Sequence, residues 1–125
     1  MDDLYQDIIL DHYKNPRNYG KIAHPDANVY ESNASCGDGF TFQLSFGTNK
    51  DGVQIIKEIA FEGQGCAIST AMSSLITQEL KERKIVELPE LTLDYMQTLL
   101  GIEVTLARQK CVMLPARAMQ KVVDQ

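Results

Sequence analysis

The chain has 125 residues, of which 23% are charged, and a net charge of −5 at pH 7. This length predicts a single domain over residues 1–125 that can bury a core without disulfide staples. The net negative charge and the absence of a cluster of basic residues in the sequence argue against a nucleic-acid-binding protein. No secretory signal and no run of about 20 apolar residues is visible, so we expect a cytoplasmic protein without a membrane segment.

The N-terminal segment is expected to form a helix. Its apolar side recurs at helical spacing and includes Leu4, Tyr5, Ile8, Ile9, His12 and Tyr13. This helix should end near Asn15, because a residue that precedes proline avoids the α region. His12 lies on the apolar stripe, so a packing or capping role is favoured over metal binding.

Two alternating runs then predict an antiparallel hairpin. The apolar members of the first run are Phe40, Phe42, Leu44 and Phe46, and those of the second are Val53, Ile55, Ile59 and Phe61. A period of two is typical of a half-buried strand. The turn-rich residues 47–52 end in Asp-Gly and predict a longer hairpin loop. A short strand over Val29–Ala34 precedes the hairpin.

From Ala67 onward the apolar period becomes helical. The predicted elements are a helix from Ala67 to about Leu80, a short helix over Leu91–Leu100 with Thr92 as N-cap and Gly101 as stop, one or two turns within Glu103–Gln109, and a last helix over Leu114–Val123 with Pro115 in its first turn. The order of elements predicts an α+β fold, in which helices pack on one face of a small three-stranded antiparallel sheet.

Cys36 and Cys66 are expected to meet although they are far apart in sequence. If Phe46 opposes Val53, antiparallel pairing places position 36 opposite position 63, so both cysteines lie at the same end of the hairpin. Cys66 follows the loop Gly63-Gln64-Gly65 and precedes a helix. The N-terminus of that helix would favour a thiolate.

Three cysteines and one aspartate make a potential ligand set for zinc or for an iron–sulfur cluster. The odd number of cysteines argues against a closed disulfide framework. Asp38 lies two residues after Cys36, although alone it could be a turn residue, and a lone cysteine is most often a small buried hydrophobe. Arg108 and Lys110, close to Cys111, are either surface charges or cations that stabilise a thiolate or pair with Asp38. Spacing alone does not bring Cys111 to this site.

The chain resembles the U-type iron–sulfur cluster assembly scaffold family, which includes IscU, SufU and the N-terminal domain of NifU. The matching stretches occur in the family's order and are Ile9–Gly20, Cys36-Gly37-Asp38, Gly65-Cys66-Ala67-Ile68-Ser69 and Lys110-Cys111. They cover nearly the whole chain. The resemblance implies a compact α+β fold with the three cysteines clustered at one exposed end.

The resemblance also implies a function. A cysteine desulfurase delivers sulfur to a scaffold cysteine as a persulfide, iron and electron donors complete a [2Fe–2S] cluster, and the cluster moves to an acceptor apo-protein. The family's ligands map to Cys36, Asp38, Cys66 and Cys111, which are thus the expected ligands of the cluster, of iron or of zinc. Cys111 is the expected persulfide acceptor, and Asp38 is expected to keep the cluster labile. Cluster nuclearity and the choice between a monomer and a homodimer stay open.

Departures from the family pattern leave a second function open. Lys110 stands where the IscU branch usually has a histidine, and Arg108-Gln109-Lys110-Cys111 resembles the Arg-x-Lys-Cys of the SufU branch, whose members bind zinc and relay sulfur. The segment that SufU proteins typically carry before the third cysteine is missing, as is the Leu-Pro-Pro-Val-Lys chaperone site. We therefore expect a non-enzymatic scaffold, with a zinc-dependent sulfurtransferase as the alternative. A structural zinc domain is less favoured, because such sites usually have only Cys or His ligands.

Overall fold

The computed structural model describes residues 3–125, and it describes their side chains from residue 6 onward except that of Cys36. The helices are α1 (Asp3–Lys14), α2 (Ala67–Glu79), α3 (Leu93–Leu100) and α4 (Gln109–Val123), and the strands are β1 (Ala27–Asn33), β2 (Asp38–Thr48) and β3 (Gln54–Gln64). Short 3-10 turns cover Ala34–Cys36, Ile85–Glu90 and Leu106–Arg108. The α+β fold, with its N-terminal helix and helical C-terminal half, is confirmed.

The helix α1 ends at Lys14, as the following Asn15-Pro16 predicts. The apolar positions Leu4 and Tyr5 lie outside the described side chains. His12 is buried against α2, where its Nδ1 lies 2.7 Å from the Ser74 hydroxyl. The same hydroxyl accepts a hydrogen bond of 2.8 Å from the amide of Arg17. His12 therefore belongs to the α1–α2 interface, as its place on the apolar stripe indicates.

The sheet has the antiparallel order β1-β2-β3, but the predicted hairpin register is wrong. Phe46 pairs with Ile56 rather than with Val53, and a bulge follows Ser45. The loop is closed by Asn49, whose side-chain oxygen accepts hydrogen bonds from the amides of residues 51 and 53, so Val53 belongs to the turn. One predicted relationship does not depend on the register. The start of β2 and the end of β3 lie at the same end of the sheet.

One face of the sheet forms the core together with α2 and α4. The fully buried side chains include Phe40, Phe42, Leu44, Phe61, Met72, Ile76, Val112 and Leu114. Burial of each such side chain contributes about 1.5–3 kcal/mol. The inward alternation of β2 is thereby confirmed from Phe40 to Leu44, whereas Phe46, which follows the bulge, is only half-buried. None of the helices over residues 3–125 is long and apolar enough to cross a membrane.

The last helix begins earlier than its sequence indicates. It starts at Gln109 rather than Leu114, and Pro115 lies inside it instead of in its first turn. The buried side of the helix extends back to Cys111. The polar residues before that cysteine hide the helical pattern of apolar residues, so the sequence does not predict this early start. Cys111 therefore lies within the first turn of α4. The Thr92 N-cap and the left-handed Gly101 stop of α3 are as expected, although α3 begins at Leu93.

Candidate metal centre

Three of the four expected ligands meet at one end of the sheet. Asp38 begins β2, Cys66 is the N-cap of α2, and Cys111 lies in the first turn of α4. One ligand atom from each residue lies within 4.8 Å of those of the other two. Asp38 and Cys111 are buried, with 3% and 0% exposure, while Cys66 is half-buried. The fold thus supplies the convergence of Cys111 that spacing alone could not.

The fourth expected ligand, Cys36, is described only by its backbone. It ends the 3-10 turn between β1 and β2, two residues before Asp38. The following Gly37 has φ +71°, a left-handed conformation that favours glycine. The Cys36 side chain lies outside the described residues, so its part in the site stays a prediction.

The Cys66 sulfur is held at the N-terminus of α2. It accepts a hydrogen bond from the amide of Ser69 at 3.4 Å, and it lies 3.5 Å from the hydroxyl of the same residue. These contacts hold the sulfur at the start of α2, where one ligand atom from each of Cys66, Asp38 and Cys111 lies within 4.8 Å of the others.

The two carboxylate oxygens of Asp38 differ in their hydrogen bonding. Oδ1 accepts a 2.8 Å hydrogen bond from the backbone amide of Cys66. Oδ2 is buried and has no hydrogen-bond partner in the described part of the chain. A buried polar atom without a partner costs about 1–3 kcal/mol, and more when it is charged. A metal ion between Oδ2 and the thiols would remove this cost, so the donor set fits zinc or cluster iron.

Two glycines allow the Cys66 segment to approach Asp38 closely. A Cβ on Gly65 would lie 2.5 Å from the Ser69 hydroxyl and 2.8 Å from Asp38 Oδ1. Gly63 has φ +144°, and a Cβ there would lie 2.1 Å from the carbonyl oxygen of Gly39. Side chains at these positions would therefore displace the site, which explains the Gly-Gln-Gly sequence before Cys66.

Asn33 is a neighbour of the site that sequence reasoning missed. It is buried, pairs with Asp38 across the β1–β2 ladder, and its side-chain nitrogen lies 4.0 Å from the Cys111 sulfur. Its side-chain oxygen accepts a hydrogen bond of 2.8 Å from the Ser35 hydroxyl, which fixes the amide orientation. Only the correct β1–β2 register could have identified it from the sequence.

The chain is similar to known proteins over nearly its whole length. The NifU-like N terminal domain model matches residues 4–125. The zinc-dependent sulfurtransferase SufU of Bacillus subtilis is 34% identical over 138 aligned positions, which cover 97% of this chain and 90% of SufU. The iron-sulfur cluster assembly scaffold protein IscU 1 of Archaeoglobus fulgidus is 34% identical over 122 positions, which cover 96% of this chain and 74% of the relative.

Two solved structures share the fold. One, from Fervidobacterium islandicum AW-1, is described as a candidate iron-sulfur cluster assembly scaffold protein for the SUF system; it has a TM-score of 0.69 and 27% identity over 91% of this chain and 92% of its own. The N-terminal part of a NifU-like protein from Brucella abortus has a TM-score of 0.72 at 23% identity, over 98% of this chain and 94% of its own, and shows the fold alone. This chain therefore belongs to the NifU-like N-terminal domain family, the iron–sulfur cluster assembly family with members of the IscU and SufU types.

Proposed function

We propose that this protein is a scaffold on which a [2Fe–2S] cluster is assembled from iron and desulfurase-derived sulfur before its transfer to apo-proteins. The observation that carries this proposal is the convergence of Asp38, Cys66 and Cys111 within 4.8 Å, with one carboxylate oxygen left without a partner. Cys36 is proposed as the fourth group, since its backbone lies two residues from Asp38. Residues 1–125 are proposed to act as one domain, because a single core includes residues from Ile9 to Val122.

The chemistry of the four groups suits a cargo that must be both held and released. Thiolates are soft ligands that bind cluster iron and zinc. A carboxylate oxygen is a harder ligand and therefore a poorer partner for cluster iron. Three cysteines would hold the cluster, and Asp38 would keep one position exchangeable for an acceptor protein.

Sulfur delivery is proposed at Cys111. Its thiolate attacks the terminal sulfur of the desulfurase persulfide, a new S–S bond forms, and the desulfurase cysteine leaves as a thiolate, so no external oxidant is required. Arg108 and Lys110 are exposed and precede Cys111 by three residues and one residue, so their positive charge is available to attract the desulfurase. Because Cys111 has 0% exposure, delivery requires a local opening beside Asn33. A Cys111→Ser variant that accepts sulfur as well as the wild type would contradict this assignment.

A zinc-dependent sulfurtransferase is the second candidate. It is supported by the 34% identity to SufU and by the Arg-x-Lys-Cys sequence at Arg108–Cys111. The alignment lengths favour the scaffold instead. The SufU alignment needs 138 positions to include 97% of this chain, whereas the IscU alignment needs 122 positions to include 96%. SufU therefore carries residues without a counterpart here, and IscU has few of them in the aligned part.

An anaerobic assembly reaction distinguishes the two functions. The protein is mixed with a cysteine desulfurase, cysteine, ferrous iron and a reductant, and cluster transfer to an apo-ferredoxin is measured, with Cys66→Ser as the matched control. A scaffold shows visible cluster absorption followed by transfer, and both decrease in the control. Tightly held zinc, no bound cluster and faster desulfurase turnover would instead establish the sulfurtransferase.

A further inference from the structure

We propose that Tyr19 is a positioning residue that holds the Cys66 segment against Asp38. The proposal rests on the proposed role of Cys66 and Asp38 in metal binding. Tyr19 does not belong to the ligand group itself, and it acts through the backbone of Gly63, three residues before Cys66. Its phenol hydroxyl donates a hydrogen bond of 3.0 Å to the carbonyl of Gly63 and accepts one of 3.2 Å from the amide of the same residue.

These two hydrogen bonds take the place of a neighbouring strand. β3 lies at an edge of the sheet, and within residues 3–125 its outward backbone near Gly63 is met by the isolated bridge between Tyr19 and Phe61 rather than by a further strand. One hydroxyl can serve both groups, because it has one donor and two acceptor lone pairs. Tyr19 therefore fixes the backbone at the point where the chain leaves β3 and turns toward Cys66.

The position of Tyr19 is itself fixed by contacts with Phe61. The amide of Gly20 donates to the carbonyl of Phe61 at 2.9 Å, and the amide of Phe61 donates to the carbonyl of Asn18 at 3.1 Å. The rings of Tyr19 and Phe61 meet edge to face, with centroids 5.3 Å apart and an interplanar angle of 77°. The hydroxyl is thus presented to Gly63 by a residue whose backbone neighbours and ring are both held against Phe61.

The short path from Gly63 to Asp38 transmits this constraint. Gly63 has φ +144° and packs closely against Gly39 of β2. A Cβ on Gly65 would clash with Asp38 and Ser69, so the backbone of Gly65 also lies close to the site. The next amide, that of Cys66, donates to Asp38 Oδ1 at 2.8 Å. If the Tyr19 hydrogen bonds are lost, glycine backbone freedom lets this segment move away from Asp38. The Cys66 thiol then becomes more accessible and its distance to the carboxylate less constant.

The test compares Tyr19→Phe with the matched control Tyr13→Phe. Tyr13 and Tyr19 are 43% and 49% exposed and line the same groove beside Gly63 and Gly65, but the hydroxyl bonds to Gly63 come from Tyr19. The phenylalanine at position 19 keeps the ring contact with Phe61, so a residue that only packs would tolerate it. The alkylation rate of each cysteine by iodoacetamide is measured in the metal-free proteins by peptide mass spectrometry. Co²⁺ affinity and the thiolate-to-cobalt absorption band are measured in parallel.

Tyr19→Phe is expected to accelerate alkylation of Cys66 relative to Cys111. It is also expected to weaken Co²⁺ binding about tenfold, because the loss of a residue that orients a metal ligand typically has an effect of this order. The thiolate-to-cobalt absorption band should shift as well. Tyr13→Phe is expected to match the wild type. Unchanged Cys66 alkylation in Tyr19→Phe, or equal acceleration at Cys66 and Cys111 with a lower unfolding temperature, overturns the proposal. Failure of the wild type to assemble a cluster refutes the proposed function instead, since the alkylation rates need no metal.

Discussion

Asp38 accepts a 2.8 Å hydrogen bond from the backbone amide of Cys66 through Oδ1, while its Oδ2 has no hydrogen-bond partner among the described residues. One oxygen thereby joins the start of β2 to the start of α2. The other is buried without such a partner, in a carboxylate that has a ligand atom within 4.8 Å of those of Cys66 and Cys111. The hydrogen bond to Cys66 and the proposed ligand role of this carboxylate can therefore be tested with different substitutions of Asp38.

We expect Asp38→Ala to slow cluster transfer to an apo-ferredoxin by about tenfold, the order of effect seen when metal-site contacts change. The harder oxygen ligand is lost, so the cluster exchanges less readily. The pseudo-first-order rate of ferredoxin reconstitution measures this effect. Asp38→Asn is the matched control for folding, because it keeps an oxygen acceptor for the Cys66 amide. Equal transfer rates for the alanine variant and the wild type would show that Asp38 does not control release.

The cysteine thiols are expected to differ in reactivity. Cys66 is half-buried, whereas Cys111 has 0% exposure. Iodoacetamide should therefore modify Cys66 first in the native metal-free protein, because Cys111 reacts only after local opening. Peptide mass spectrometry at several times gives both rates, and the same reaction in urea removes the difference if burial is its cause. Modification of Cys111 at the rate of Cys66 in the native protein would contradict the burial argument.

The sequence predicted the elements better than their ends and pairing. The Asn15-Pro16 stop depends on local sterics, and the alternation from Phe40 to Leu44 depends on the side-chain period, so both can be predicted along the chain. The hairpin register depends on the Asn49 loop and on a bulge after Ser45, and neither leaves a distinct periodic signal. The prediction that the start of β2 and the end of β3 lie at the same end of the sheet is nevertheless correct, because antiparallel strands bring these ends together in any nearby register.

The position of the third cysteine, Cys111, could not be predicted from local sequence patterns. Cys111 reaches Asp38 and Cys66 because α4 packs across the sheet, and that packing depends on the buried stripe of the whole helix. The family resemblance supplied this placement, and the spacing did not. Asn33 and Tyr19 went unrecognised for the same reason, since their roles depend on contacts with Cys111 and Gly63 far along the chain.

Acidification is expected to weaken the α1–α2 interface through His12. Burial, and to a lesser extent the charge of Arg17, lowers the pKa of His12, against a smaller opposing effect of Asp11. The unfolded chain then binds more protons than the folded one, so stability rises with pH. The contribution of the neutral ring is complete above the unfolded pKa of about 6.5 and is lost as the pH falls from there toward the lower folded pKa.

Urea unfolding at a series of pH values from 8 to 5 checks this expectation. The wild type should lose stability below about pH 6.5, and His12→Asn should show a smaller slope, because the asparagine does not titrate. His24→Asn is the matched control, since His24 is exposed and is the second of the two histidines in the chain. Identical slopes for the wild type and His12→Asn would assign the acid sensitivity to other groups.

Gly63 and Gly52 allow a test of backbone strain beside the site. Both have positive φ, of +144° and +80° respectively, but only a Cβ on Gly63 meets neighbouring backbone, at 2.1 Å from the carbonyl oxygen of Gly39. A Cβ on Gly52 meets nothing within 4 Å. We expect Gly52→Ala to cost about 1–2 kcal/mol from its left-handed conformation alone. Gly63→Ala should cost about 3 kcal/mol or more, because strain and overpacking add.

The free energy of unfolding in urea measures both costs, and Co²⁺ titration separates stability from the geometry of the site. Gly52 lies in the hairpin loop at the opposite end of β3 from Cys66, so Gly52→Ala should bind Co²⁺ like the wild type despite its lower stability. Gly63→Ala should lose Co²⁺ affinity even under conditions where it is fully folded, since its carbonyl and amide can no longer meet Tyr19 while β2 keeps its position. Wild-type Co²⁺ affinity in folded Gly63→Ala would show that the end of β3 does not govern the placement of Cys66.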